Sequence, residues 1–365
     1  MKKTTVLIPA LVVLLCLGLF ISGSGKDSAQ GMLQDYLTRV ENATGIASPP
    51  TEQIALQTYP THRTRTLPIE DIRVGFFSYL KLYNCDLFNL VSERNSVMGR
   101  VMPISQKLVY EIKFLQGAEK CYRKLAEQAE AYKGFLGDFA ETIQIKRQNL
   151  PRVFWNATFD SPEMQKAFSL AVQPLHPDED DTPYTHSRQA IDYFHRVGAQ
   201  LEHPVFTIDK SELEGQYFSL QLHQYGGRLL TSIAQLTAYL NRIAHSLETA
   251  INDRPLCYQQ KPNQKARILE TIFLKYYAGR VAPYLSQVHQ QGQDWLGAIN
   301  QLIAIQKVQV PQAFADYRAQ MLSLDAEGSL WRAFENATHR HTKAWQQLLG
   351  QCGLMPGQGK RRMAG

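Results

Sequence analysis

Residues 70–124 read EDIRVGFFSYLKLYNCDLFNLVSERNSVMGRVMPISQKLVYEIKFLQGAEKCYRK, and the fold class turns on how this stretch is read. Leu67-Pro68 precedes it, and Glu70 and Asp71 suit the positive end of a helix dipole. Ile72, Phe76, Leu80, Tyr83, Leu87, Leu90, Val97 and Val101 recur mostly in steps of three and four, which marks one buried helical face. Met102-Pro103 stops the pattern, because proline has no amide proton and restricts the residue before it. Ser105, a good N-cap, restarts it. Leu108, Ile112, Leu115, Ala118, Tyr122 and Leu125 then carry a second arm. The stretch predicts two long antiparallel helices.

Cys85 lies 16 residues before Val101, and Cys121 lies 16 residues after Ser105. At about 1.5 Å of rise per residue, both stand roughly 24 Å from the turn, level across the hairpin. If the first helix stopped at Ser92, Cys85 would be only about 10 Å from its end and hard to bridge. A Cys85–Cys121 disulfide therefore requires Ser92-Glu93-Arg94-Asn95-Ser96 to be helical. Cys257 and Cys352 remain downstream. Four cysteines allow three pairings. Cys85–Cys121 with Cys257–Cys352 is favoured, the second tying a loop near Pro255 to the end of the last helix. There is no CxxC to suggest zinc or thioredoxin-like chemistry.

The start of the chain is consistent with such bonds. Met1-Lys2-Lys3, an apolar run from Val6 to Ile21 and the small residues Ser22-Gly23-Ser24-Gly25 read as an export signal over 1–24. An oxidising compartment outside the cytoplasm follows from that reading. The apolar run is 16 residues, short of the roughly 20 that span a bilayer. An uncleaved leader is the alternative and would associate the chain with a membrane. The net charge of +6 falls to 6 − 2 = +4 without Lys2 and Lys3. That excess is too small and too dispersed to point to nucleic acid.

Elsewhere the periodicity is helical. Met32, Leu33, Leu37 and Val40 mark a short first helix, and prolines make 45–68 an extended lead. Gly134 and Gly137 should break the second arm. Ser161-Pro162-Glu163 is a helix start. Asp178-Glu179-Asp180-Asp181 makes 174–184 an acidic linker between helical halves at 25–173 and 185–353, because the spacing of a calcium loop is missing. Leu229, Ile233, Leu236, Leu240, Ile243, Leu247 and Ile251 form a bundle seam. Asn263 caps a helix carrying Ile268, Ile272 and Tyr276, which Pro283 should kink or end. Ser329 caps the last helix, with Phe334, His341 and Trp345 facing inward. Residues 354–365 form a basic tail. With no alternating strands, the fold class is all-α, a multi-helix bundle built on long antiparallel hairpins.

Ser92-Glu93-Arg94-Asn95-Ser96-Val97-Met98-Gly99 followed by Ser105-Gln106-Lys107-Leu108-Val109-Tyr110-Glu111 resembles the signature of an uncharacterised family of bacterial lipoprotein-like proteins, domain of unknown function family 3080. Tyr225-Gly226-Gly227-Arg228-Leu229-Leu230, Arg254-Pro255-Leu256-Cys257 and His341 to Leu349 followed by Gln351-Cys352-Gly353 are similar to later parts of it. The resemblance implies a Gram-negative cell envelope, a helical fold and no established activity. Such proteins carry a lipid-modified cysteine after the leader. Here Ser24 stands at that place, and a hydroxyl cannot form the thioether. A soluble periplasmic form is therefore expected over a lipid-anchored one.

No GxSxG, HExxH, GxxxxGK[ST] or GxGxxG is present, and no catalytic, cofactor or metal residue is assigned. The candidate polar site is Glu93, Arg94 and Asn95 facing Gln106, Tyr110 and Glu111. It could orient a polar ligand or supply a carboxylate base, but a salt-bridge network fixing helix register is the favoured reading. His341 reads as a hydrogen-bonded core histidine, not a metal ligand. The function expected is a non-enzymatic interaction or assembly protein of the envelope, its partner another envelope protein. A binder of a small or lipid-like molecule is the alternative, and a hydrolase using Glu93 or Glu111 a weaker one.

Overall fold

Ser28 opens the first helix, α1 (Ala29–Thr44), by accepting from the Gly31 amide, and Gly45 closes it in the left-handed region. The computed structural model describes residues 28–50, 54–70, 72, 81–85, 87–201, 203, 206–253 and 255–355. The leader at 1–24, Phe76 and Leu80 of the expected first arm, and all of the basic tail but Leu354 and Met355 lie outside these residues. The fold is about three quarters helical, and among the described residues there is no strand. Among the described residues no helix is long and apolar enough to cross a membrane.

The expected hairpin is present with a different first arm. A 3-10 turn at Leu82–Cys85 leads to α3 (Leu87–Asn95) and a short α4 (Val97–Arg100), after a one-turn α2 (His62–Arg65). Ser92 to Asn95 are helical as the bridge requires, but Ser96 ends that helix and caps the next through the Gly99 amide, 3.1 Å away. The continuous helix to Val101 is thus corrected. Leu87 and Val91 are buried, whereas Tyr83, Val97 and Val101 are exposed. A serine that bonds its own backbone competes with the helix ladder, and here it wins.

The second arm, α5 (Ile104–Ala126), has its cap at Pro103, two residues earlier than the Ser105 read. It packs on α3 and on α6 (Ala129–Thr158). Gly134 and Gly137 do not break α6; the break falls at Glu127-Gln128. Gly117 sets how closely the arms approach, since a Cβ there would lie 2.6 Å from Leu87 Cδ2. Cys85 and Cys121 are bonded, their α-carbons 5.1 Å apart.

After α7 (Pro162–Ala167), α8 (Thr182–Gln200) packs on α9 (Lys210–His223). The acidic stretch before α8 is anchored: both Arg228 Nη atoms donate to Glu179, at 2.8 and 2.6 Å, and Gln291 donates to Asp181 at 2.7 Å. The middle of the bundle is α10 (Tyr225–Asp253), where Leu229, Ile233, Leu236, Leu240, Ile243 and Leu247 are all fully buried. Each such side chain contributes roughly 1.5–3 kcal/mol on leaving water. This seam packs against α1 and α14 (Leu330–Gln351).

Between them, α11 (Gln264–Ile272) runs without interruption into a π-wound segment, Phe273–Val281, and then α12 (Ala282–Ala304). Pro283 therefore does not end the helical run; it stands in the first turn of α12, behind the π-wound segment. The wider turn ahead of it absorbs the missing amide and the ring's clash with the preceding turn. The buried face of α11 is Ala266, Leu269 and Ile272, and Ile268, expected inward, is 48% exposed. The short α13 (Gln312–Tyr317) precedes α14. One hydrophobic core runs from Ala29 to Leu349, and a small second cluster surrounds the Cys257–Cys352 bond.

Candidate functional site

The six residues of the expected polar site separate into distinct places. Glu93 and Asn95 are exposed. Arg94 Nη1 donates to the Gly99 carbonyl at 2.6 Å. Glu111 is buried and ion-paired with Lys146 at 2.7 Å, with the Lys146 ammonium over the rings of Tyr110 and Phe114. Burial, reinforced by Glu111, raises the Tyr110 hydroxyl well above its ordinary range, with Arg94 opposing. Of the six, Gln106 alone lines the cavity described next. Neither carboxylate offered as a hydrolytic base, Glu93 or Glu111, lines that cavity.

The cavity, about 930 Å³, lies between the segment 62–69 and the starts of α5, α7 and α9. It exists because the irregular lead is strapped onto α6 by side chains of that helix. Asn156 holds the Leu67 backbone twice, accepting from its N–H and donating to its carbonyl at 2.9 Å each. Trp155 Nε1 donates to the Arg65 carbonyl at 2.9 Å, and Asn149 to the Glu70 carbonyl at 3.0 Å. Tyr59 donates to the Phe159 carbonyl at 2.7 Å. These bonds supply the partners that an extended segment lacks.

Asp160, almost wholly buried, is the hub beneath the strap. Its Oδ1 meets His62 Nδ1 at 2.8 Å and its Oδ2 accepts from Thr66 Oγ1 at 2.6 Å. Arg65 Nε lies 3.3 Å from the same carboxylate without hydrogen-bond alignment. The buried Arg65 guanidinium also donates to Gln165 at 3.0 Å and to the Pro60 carbonyl, and sits over the Tyr59 ring. The His62 side chain is 73% exposed. Its Nδ1 is occupied by Asp160, so Nε2 is the ring nitrogen turned away from the carboxylate.

On the opposite wall, Ser105 donates to Glu214 at 2.7 Å. Glu163 stands nearby, in the first turn of α7. Burial raises its carboxyl and Glu214 adds to the rise, while its own backbone amide and Ser161 act against it. The first turn of α5 has Pro103 at its cap position and no side-chain cap, so its leading amides have no partner within the helix. Lys107 and Lys210 line the same cavity. Among the described residues no group of three or more metal-ligating side chains occurs.

Sequence reading missed His62, Arg65, Asn156 and Asp160. They fall on an aperiodic lead and a helix end some hundred residues later, and no periodic or catalytic motif marks them. Residues 33–356 match the model of a family described as "Protein of unknown function (DUF3080)". No curated protein and no solved structure matches the chain.

Proposed function

The chain belongs to the DUF3080 family, a family of unknown function, and on that premise we propose a non-enzymatic binding protein of the cell envelope that takes a small polar ligand beneath the 62–69 strap. A leader-like N-terminus and two disulfides support the envelope location. The interaction or assembly role expected from the sequence is a different reading; the cavity favours the ligand-binding alternative.

The observation that carries it is the cavity of about 930 Å³, within the size range of ligand sites. Two of its lining carboxylates, Asp160 and Glu214, are already bonded by protein partners, so the space is shaped before any ligand arrives. The leading amides of α5, with Lys107 and Lys210, suit an anionic group. Glu163 suits a hydrogen-bond donor. Native mass spectrometry of protein released from the envelope should detect a bound small molecule. Ser105→Trp, which puts an indole at the cavity wall in place of the hydroxyl that bonds Glu214, should lose it while both disulfides and the helical circular dichroism persist. Absence of any bound molecule, with no thermal shift from a panel of small anions, would refute the reading.

A second reading rests on the His62–Asp160 bond, because a carboxylate-oriented imidazole is the arrangement of a general base. In that case His62→Ala abolishes turnover of a bound ester or amide and leaves retention of the ligand intact.

A further inference from the structure

Two histidines meet at the open end of the α8–α9 pair. His186 stands in the second turn of α8, and His223 is the last residue of α9. Residues 201–209 join the two helices at the far end. His186 Nδ1 and His223 Nε2 lie 3.1 Å apart, whereas the ring centroids lie 5.1 Å apart. The two nitrogens are therefore the parts of the rings that converge. His186 is exposed and His223 half-buried, so the gap between them opens to solvent.

A hydrogen bond accounts for this contact only while one nitrogen carries a proton and the other does not. A metal ion asks for the same approach without that proton. With metal–nitrogen bonds of about 2.0–2.1 Å, ligands 3.1 Å apart subtend about 98° at the ion. That angle falls between the square value of about 90° and the tetrahedral value of about 109°, the range that imidazole-preferring divalent ions accept. Glu179 and Arg228 both act on His223, but they are paired with each other at 2.6 Å, so their charges cancel beside the two rings. We infer that His186 and His223 form a two-ligand site for a divalent transition ion, Zn²⁺ or Cu²⁺, which clips the start of α8 to the end of α9. Water fills the remaining positions, which leaves the ion exchangeable, unlike a closed four-ligand site. On binding, the proton at the contact moves to the outer nitrogen of its own ring, and both imidazoles ligate as neutral groups. The site shares no residue with the strapped cavity and does not depend on a ligand there.

The test uses tag-free, disulfide-intact protein stripped of metal by a chelator. Titration calorimetry with Zn²⁺ and with Cu²⁺ should show one saturable site, tighter for Cu²⁺. Glutamine keeps a hydrogen-bonding group at these positions but is a poor ligand for these ions. His186→Gln and His223→Gln should therefore each weaken Zn²⁺ binding about tenfold or more, with unchanged circular dichroism. Should a variant misfold, carbethoxylation of the wild type decides, read for each histidine by mass spectrometry. Zn²⁺ should protect His186 and His223 together. No saturable binding of either ion, Zn²⁺ affinity unchanged in either folded variant, or Zn²⁺ protection that spares either histidine overturns the proposal. The contact is then a hydrogen bond alone.

Discussion

The Cys85–Cys121 hairpin and the bundle around α10 are written in the same amphipathic code, yet they are held differently. In the bundle, six consecutive seam residues of α10 are fully buried and the helix runs 29 residues without a break. Its polar groups are internal and chained. Trp345 Nε1 donates to the Tyr36 hydroxyl at 2.6 Å, and the same hydroxyl meets His341 Nε2 at 2.9 Å. In the hairpin, the described residues of the first arm form three short pieces, with Tyr83, Val97 and Val101 of its expected face in water, and a covalent bond adds to the packing. The second bridge stands elsewhere. It joins the irregular 255–263 loop to the end of α14, outside the main core. The second staple sits where apolar burial is thin, whereas Cys121 of the first is itself part of the main core.

Removing each staple tests that contrast most strongly. Cys257→Ser with Cys352→Ser opens a span of 95 residues, for which chain entropy gives a loss of about 4–5 kcal/mol. Cys85→Ser with Cys121→Ser opens a span of 36, with a loss of about 3–4 kcal/mol. Urea unfolding of the two double variants should preserve that order. Equal or negligible losses would mean that packing holds both regions alike.

The bundle's own signature is a pH dependence. Burial lowers His341 from its ordinary 6.5 to about 3. Between those values the unfolded chain binds a proton that the folded one refuses. Stability therefore falls as pH falls through that window, by about 1.4 kcal/mol per pH unit. His341→Gln should remove that slope, measured by urea melts from pH 7 to pH 5. The hairpin contributes no comparable buried histidine. The smallest effect should be Gly99→Ala, whose Cβ meets the end of α3. It should cost about 1–2 kcal/mol and raise hydrogen exchange in α3 and α4 while leaving the α10 amides protected.

Much of the fold was legible. Repeats of three and four in α5, α10 and α14 placed their buried faces correctly, because one apolar stripe per helix has one way to leave water. The caps at Ser161, Asn263 and Ser329 were readable for a local reason: each side chain bonds a backbone amide three residues on. The first arm misled because Val97 and Val101 keep the period while Ser96 has already ended the helix. The candidate site was nearly illegible. Of the expected residues only Gln106 reaches the cavity, whereas the Asp160 hub draws on His62 and Thr66, more than ninety residues away.

By itself the sequence determined an all-helical chain, the seam of its central helix and a first-arm cysteine level with one on the second arm. Those properties depend on the spacing of neighbours along the chain, which is local physics. Tertiary structure alone decided that the proline-rich lead becomes a strap, that a buried carboxylate collects partners from distant segments, and that the corner of the hairpin faces outward. Long-range hydrogen bonds and close approaches of backbone to backbone leave no period in a sequence. They exist only once the helices have packed.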